Sequence, residues 1–186
     1  PEHSFPLPQK DLQLPALDTA EWMIEFDDLK NQKYAEECRL GRAISCALLS
    51  GHFRTFADPP DLRLAFLAAE RACEGKDSWG CREAGLAHAY GRGTEIDLGK
   101  AERDLKFACE KNNLNACGNF GDLFAEGLLE GGDEVALRWY VLGCSKKHNE
   151  VCGQAAEFHE TGRGTEKNLI EAMRYYKLAC GRGLYK

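Results

Sequence analysis

The sequence lacks any long hydrophobic run. Across its 186 residues, no stretch approaches the roughly 18 apolar residues that a membrane-spanning helix requires. The first residues also lack the order of a signal peptide, which is basic, then apolar, then small. We therefore expect no membrane insertion of this chain.

Basic residues are too few to give the chain a positive charge. The sequence has 24 lysines and arginines against 30 aspartates and glutamates, a net charge of −6. Nucleic acids and anionic membranes select basic patches, so neither is expected as a partner. A protein or peptide that carries a basic patch fits this charge better.

Catalytic and metal-binding motifs are missing too. None of the five serines has a lysine three residues later, so the Ser-x-x-Lys nucleophile motif does not occur. Gly-x-Ser-x-Gly, His-Glu-x-x-His and the phosphate-binding loop are absent, as is the Cys-x-x-Cys spacing of zinc sites. We expect no enzyme activity, no metal and no cofactor.

What the sequence does have is nine cysteines, eight of them in pairs with a spacing of eight residues. Such regularity predicts a disulfide framework in an oxidising compartment, since cytosolic thiols are kept reduced. Reduced cysteines buried at helix contacts remain the alternative. Cys180 is left over as a free thiol, unless the chain is a piece of a longer array in which a partner follows. The four predicted pairs are Cys38 with Cys46, Cys73 with Cys81, Cys109 with Cys117, and Cys144 with Cys152.

The cysteines mark an internal repeat of 35 to 36 residues, and the pentapeptide GRGTE occurs at 91–95 and again two periods later at 162–166. Each period reads as a helix, a short loop and a second helix, with Asp97 and Asn168 as helix N-caps. This pattern predicts an all-α chain of stacked helix pairs. We divide it into an extended proline-rich lead (1–17), an N-terminal helix (18–41) and four helix pairs (about 42–76, 77–112, 113–147 and 148–186).

The stretch CREAGLAHAYGRGTEIDLGKA, residues 81–101, resembles the Sel1-like repeat, a relative of the tetratricopeptide repeat. With its paired cysteines the chain looks most like the cysteine-rich, disulfide-clipped subgroup. The resemblance implies a right-handed α/α superhelix whose first helices line a concave groove that grips a protein or peptide. It also implies a periplasmic or secreted protein, with the mitochondrial intermembrane space as the alternative.

Projecting the groove of this family onto the chain gives a set of partner-binding positions that run from aromatic to acidic. Trp79 and Tyr90 are the expected anchors, since large aromatic residues dominate binding hot spots. The full set is Ile44, Arg54, Trp79, Arg82, Leu86, Tyr90, Asn115, Asp122, Glu126, Glu150, Glu157 and Glu160.

Two histidines replace the tyrosine that is usual in these repeats, seven residues after the second cysteine. His88 and His159 are either buried rings at helix contacts or a pH-sensitive site.

The function that these observations favour is a non-catalytic interaction scaffold. A narrower hypothesis is an immunity protein that neutralises a secreted toxin such as a lipase effector. Two alternatives stay open: a slow β-lactam-binding or β-lactamase-like hydrolase, an activity linked to some cysteine-rich Sel1-like relatives, and an adaptor for assembly in the envelope or the intermembrane space.

Overall fold

The computed structural model describes residues 29–57, 60–145 and 149–181, and every regular element in them is an α-helix. The all-α prediction is confirmed. The predicted extended lead (1–17) and the first part of the predicted N-terminal helix (18–28) lie outside the described residues. The helices are α1 (Leu29–Arg39), α2 (Ala43–Thr55), α3 (Leu62–Glu74), α4 (Ser78–Tyr90), α5 (Leu98–Glu110), α6 (Leu114–Ala125), α7 (Gly132–Ser145), α8 (Asn149–Thr161) and α9 (Leu169–Ala179).

Short polar side chains begin most of these helices. The Asp97 carboxylate accepts the Lys100 backbone N–H at 2.9 Å, and the Asn168 amide oxygen accepts two N–H groups of α9. These two caps confirm the sequence prediction. Because the first N–H groups of a helix have no partner inside it, each cap also fixes where its helix starts.

All four predicted disulfides are formed. Each joins the last turn of one helix to the first turn of the next, at α1–α2, α3–α4, α5–α6 and α7–α8. The two Cα atoms of a bridge lie 4.3 to 4.7 Å apart, which brings the two helix ends together around a tight turn. Cys180 is exposed and unpaired among the described residues. The bridges indicate an oxidising, extracytoplasmic compartment.

The second glycine of the repeated GRGTE loop lies very close to the backbone of another helix, which leaves no room for a side chain. A Cβ on Gly93 would lie 2.0 Å from the Leu62 carbonyl oxygen, and one on Gly164 would lie 2.3 Å from that of Asp133. Both glycines have a positive φ, which side chains rarely adopt. The loop of one helix pair therefore packs on the start of the second helix of the preceding pair, α3 or α7.

Small residues fill most of the core. Alanines occupy fully buried positions on α3, α5, α6 and α8, with larger side chains such as Phe120, Leu105 and Leu123 between them. A core of this composition gains little apolar burial per residue, since alanine removes little surface from water. We expect the covalent bridges to compensate for this modest core.

Candidate functional site

Alternate helices line one side of the molecule. Helices α2, α4, α6 and α8, here called the inner helices, each contact the next inner helix, α2 with α4, α4 with α6, and α6 with α8. Within the described ranges, α3, α5, α7 and α9, the outer helices, do not approach one another to that extent. Helices that are closer together on one side make that side concave. The inner helices therefore line the concave side of the molecule.

A ladder of polar side chains crosses the first three inner helices. On α2, Arg54 Nη1 lies 3.2 Å from Oε2 of Glu83 on α4. The other oxygen of Glu83 accepts a hydrogen bond from Arg82 Nη1 at 2.6 Å. Arg82 Nε then donates to Oδ1 of Asn119 on α6 at 2.8 Å. The Glu83 carboxylate lies between the guanidinium groups of Arg54 and Arg82, so these charged groups hold one another in place.

Asp122 continues the ladder to α7 and α8. Its Oδ1 accepts the Tyr140 hydroxyl at 2.8 Å and Gln154 Nε2 at 2.7 Å. Burial raises the pKa of the Asp122 carboxyl, and the hydrogen bonds from Tyr140, Asn119 and Gln154 oppose that rise because they stabilise the charged form. Three donors therefore hold this half-buried carboxylate in a fixed position on the concave side.

The ladder surrounds an open pocket of about 270 Å³, here called the central pocket. Gly118 opens its floor, since a Cβ there would come within 3.0 Å of Val151 Cγ2. The side chain of Asn115, at the rim of the pocket, has no hydrogen-bond partner among the described residues. The pocket is therefore polar, of side-chain size, and has unused donors and acceptors. It is lined by Arg82, Asn115, Gly118, Asn119, Asp122, Val151 and Gln154.

Three of the twelve predicted partner-binding residues meet in the central pocket, namely Arg82, Asn115 and Asp122. Trp79 is 57 % exposed on α4, one turn before Arg82. Residues three apart share one face of a helix, so Trp79 is exposed beside the pocket.

The other predicted positions are scattered. Ile44 and Glu157 are exposed, Leu86 is buried, and Arg54 lines a small apolar cleft together with Leu86. Glu126 accepts the Tyr90 hydroxyl at 2.9 Å, and Glu160 accepts the Tyr176 hydroxyl of α9 at 2.6 Å. The side chain of Glu150 lies outside the described residues.

Sequence reasoning missed Gly118, Asn119, Val151 and Gln154. Asn119 and Gln154 are each two residues after the second cysteine of a pair, a position that the projected groove did not include. A signal was present in the spacing, because this position holds a polar residue in three successive repeats, beginning with Glu83.

His88 is a buried ring rather than part of the groove. It is 2 % exposed, its ring packs edge-on against Phe66 with centroids 5.1 Å apart, and neither ring nitrogen has a hydrogen-bond partner in the described part of the chain. His159 stacks on Tyr175 with centroids 5.3 Å apart. Both rings fill helix contacts.

Burial lowers the pKa of His88, so the free energy of unfolding of the protein should depend on pH. The neutral ring contributes stability above the unfolded pKa of about 6.5, and this contribution is lost as the pH falls through the folded pKa. The same register holds Phe53 and Phe124, so His88→Phe keeps the shape of the ring. We expect the gain in unfolding free energy of His88→Phe over wild type to grow from pH 7.5 to pH 5, by at most about 1.4 kcal/mol per pH unit. Urea unfolding at several pH values measures this, and parallel stability curves for the two proteins would contradict it.

No group of three or more metal-ligating side chains occurs in the described residues. No described helix is long and apolar enough to cross a membrane.

Comparison of the sequence with protein-family models gave no match, and comparison with curated proteins gave none either. The fold is similar to solved structures. A Sel1 repeat protein from Oxalobacter formigenes aligns with a TM-score of 0.66 at 19% identity, over 78% of this chain and 60% of that one. The protective antigen c5321 of uropathogenic Escherichia coli, which displays an SLR fold, aligns with a TM-score of 0.72 at 19% identity, over 84% of this chain and 34% of that one.

The cysteine-rich protein B of Helicobacter pylori aligns with a TM-score of 0.51 at 25% identity, over 69% of this chain and 93% of that one. This chain thus spans 60% and 34% of the lengths of the first two neighbours. The described residues of this chain contain nine helices and four bridges. The chain has the all-α superhelical fold of the Sel1 repeat proteins, and its disulfides fit the cysteine-rich subgroup.

Proposed function

We propose that the protein is a non-catalytic scaffold that binds an extended segment of a partner protein along its inner helices, with the central pocket as the main recognition site. The observation that carries this proposal is a polar pocket built by three successive inner helices. A peptide main chain presents N–H donors and C=O acceptors in turn. The unused groups of Asn115 and Gln154 include both kinds, so they suit such a ligand.

Trp79 is the proposed anchor beside the pocket. A large aromatic side chain that is already exposed supplies contact area at a small cost in side-chain entropy, which is why tryptophan is common at hot spots. Tyr90, the other expected anchor, supports the groove instead, because its hydroxyl is bonded to Glu126. We therefore assign the larger share of the binding energy to Trp79.

The exposed carboxylates suit a partner with a basic patch. Glu157 is exposed, one turn after the pocket residue Gln154 on the same helix. Such charges raise the association rate of a basic partner and make that rate fall as salt is added. The dissociation rate depends instead on the anchor and the pocket.

Peptide display tests this assignment. Twelve-residue peptides are selected on the oxidised protein, and the affinity of the best peptide is measured by fluorescence anisotropy. We expect Trp79→Ala to weaken binding at least tenfold, and Glu157→Lys mainly to slow association, while Lys106→Ala on the exposed side of α5 changes neither. Equal affinity for wild type and Trp79→Ala would show that the binding surface lies elsewhere.

The narrower role that we propose is that of a periplasmic or secreted immunity protein, which binds a toxin through this groove. The rigid, disulfide-clipped frame supports it, since a preorganised surface loses little entropy on binding. The test is co-expression with a secreted toxin encoded next to its gene: protection that Trp79→Ala abolishes supports this role. An envelope or intermembrane-space adaptor would instead bind without giving protection.

The proposal also states that the protein has no catalytic activity. Ser45 and Ser50 are buried, and the hydroxyl of Ser45 donates to Glu37, so neither is placed to attack a substrate. No observation favours the hydrolase alternative. Turnover of a chromogenic cephalosporin by protein free of contaminating enzymes would overturn the non-catalytic assignment.

A further inference from the structure

One carboxylate in the central pocket is held by neutral groups alone. Asp122 accepts hydrogen bonds from Tyr140 and Gln154, and the Asn119 amide also stabilises its charged form. Within the described ranges, no ion pair includes Asp122. A carboxylate can accept about four hydrogen bonds, so three donors leave room for one more. A half-buried negative charge without an opposite charge beside it favours the binding of a cation.

The charges around the pocket leave a negative surplus. Arg54 and Arg82 both contact the Glu83 carboxylate, so these three groups together carry one positive charge. Asp122 and Glu126 lie one turn apart at the end of α6 and add two negative charges. Glu126 raises the pKa of Asp122, as a nearby like charge does. The five groups therefore have a net charge of −1, which one bound cation would neutralise.

Arg82 does not make the pocket a site for anions. Its Nε donates to Asn119 at 2.8 Å and its Nη1 donates to Glu83 at 2.6 Å, so two of its three nitrogens are engaged. An anion at the remaining nitrogen would share the pocket with the Asp122 carboxylate, and like charges close together repel. Carboxylate and phosphate ligands are therefore disfavoured.

The acceptors of the pocket lie at separate points. Gln154 donates through Nε2 to Asp122, and its Oε1 lies 3.1 Å from the place that a Cβ of Gly118 would take. The Asn115 amide supplies another oxygen at the rim. Acceptors arranged in this way suit a guanidinium group, whose five N–H donors form a planar fork, better than a compact ammonium group. The volume of about 270 Å³ fits one long side chain and is below the usual range of small-molecule sites.

We infer that the central pocket binds the guanidinium group of an arginine in the partner segment, with Asp122 as its counter-ion. The assignment rests on the proposed function, because this arginine belongs to the segment that binds along the inner helices. Its methylene groups pass Val151, the apolar residue of the pocket lining. Exposed carboxylates such as Glu157 attract a basic partner from a distance, whereas Asp122 recognises one residue of it.

Replacement of arginine by citrulline in the display-selected peptide tests the inference. Citrulline keeps the length and shape of the side chain but carries no charge. Each arginine of the peptide is replaced in turn, and the affinity for wild type and for Asp122→Asn is measured by fluorescence anisotropy. At one arginine we expect a loss of at least tenfold with wild type and of less than threefold with Asp122→Asn. A selected peptide without arginine, or equal losses for the two proteins, would overturn the inference.

Two further variants keep the test independent of the folding of Asp122→Asn. Asn115→Lys adds a cation at the rim, where the Asn115 side chain has no hydrogen-bond partner in the described ranges, and should remove the preference for arginine over citrulline. Glu102→Gln removes a carboxylate from the exposed side of α5 and should leave that preference unchanged. A preference that survives Asn115→Lys would also overturn the inference.

Trp79→Ala separates failure of this inference from failure of the proposed function. If Trp79→Ala weakens binding while citrulline costs the same affinity in wild type and Asp122→Asn, the partner binds along the inner helices without an arginine in the pocket, and only the inference fails. If Trp79→Ala leaves the affinity unchanged, the binding surface lies elsewhere, and the proposed function fails with it.

Discussion

Reduction of the four disulfides is expected to unfold most of the molecule at 37 °C. Each bridge spans eight positions, so it closes a loop of about nine residues and stabilises the folded chain by about 2.5 kcal/mol in the loop-closure model. Four such contributions total about 10 kcal/mol, as large as the whole stability of an ordinary domain. Thermal unfolding followed by circular dichroism, with and without a thiol reductant, measures the loss.

Single-bridge variants give this prediction its control. Replacing both Cys109 and Cys117 by alanine removes a buried bridge and should cost at least about 2.5 kcal/mol. Cys180→Ser should change the unfolding free energy very little, since this cysteine is exposed and unpaired. A reduced protein that melts within a few degrees of the oxidised one would show that packing, not the bridges, maintains the fold.

Substitution of Gly93 by alanine is expected to destabilise the protein by about 3 kcal/mol. The residue has a φ of +76°, and its new Cβ would be 2.0 Å from the Leu62 carbonyl oxygen. A positive φ alone costs a non-glycine residue of order 1–3 kcal/mol, and here backbone atoms must also move apart. Chemical unfolding of the oxidised variant measures the effect.

Gly153→Ala is the matched control for this substitution. Gly153 lies inside α8, and a Cβ there would meet nothing within 4 Å. Alanine is the better helix former by about 1 kcal/mol, so this change should stabilise the protein. If Gly93→Ala and Gly153→Ala shifted stability in the same direction, the close loop contact would not exist as described.

The fold could be predicted from the sequence because its determinants are local and repeated. A cysteine spacing of eight predicted each bridge, and the caps at Asp97 and Asn168 predicted where two helices begin. The N-terminal helix was predicted from residue 18, whereas the structure describes it from Leu29. The division of the chain into four repeats remains a prediction.

The candidate site was predicted less completely, since it depends on contacts between repeats. The resemblance pointed to Arg82, Asn115 and Asp122 but not to Asn119 or Gln154, because the projected groove did not include the position two residues after each second cysteine. Packing between helices also engages carboxylates of the predicted acidic end in hydrogen bonds. Two of its carboxylates accept tyrosine hydroxyls from neighbouring helices, and no single-helix pattern shows that pairing.

The central claim is that a partner binds in the central pocket, and blocking that pocket tests it most directly. Asn115→Trp places a large ring at the pocket rim, in the register where the second repeat already holds Trp79. Lys106→Trp on the exposed side of α5 is the control, and unfolding curves of both variants establish that they are folded. The measurement is the affinity of the display-selected peptide for both variants. We expect a loss of at least tenfold for Asn115→Trp and none for Lys106→Trp, whereas unchanged affinity for folded Asn115→Trp would contradict the account.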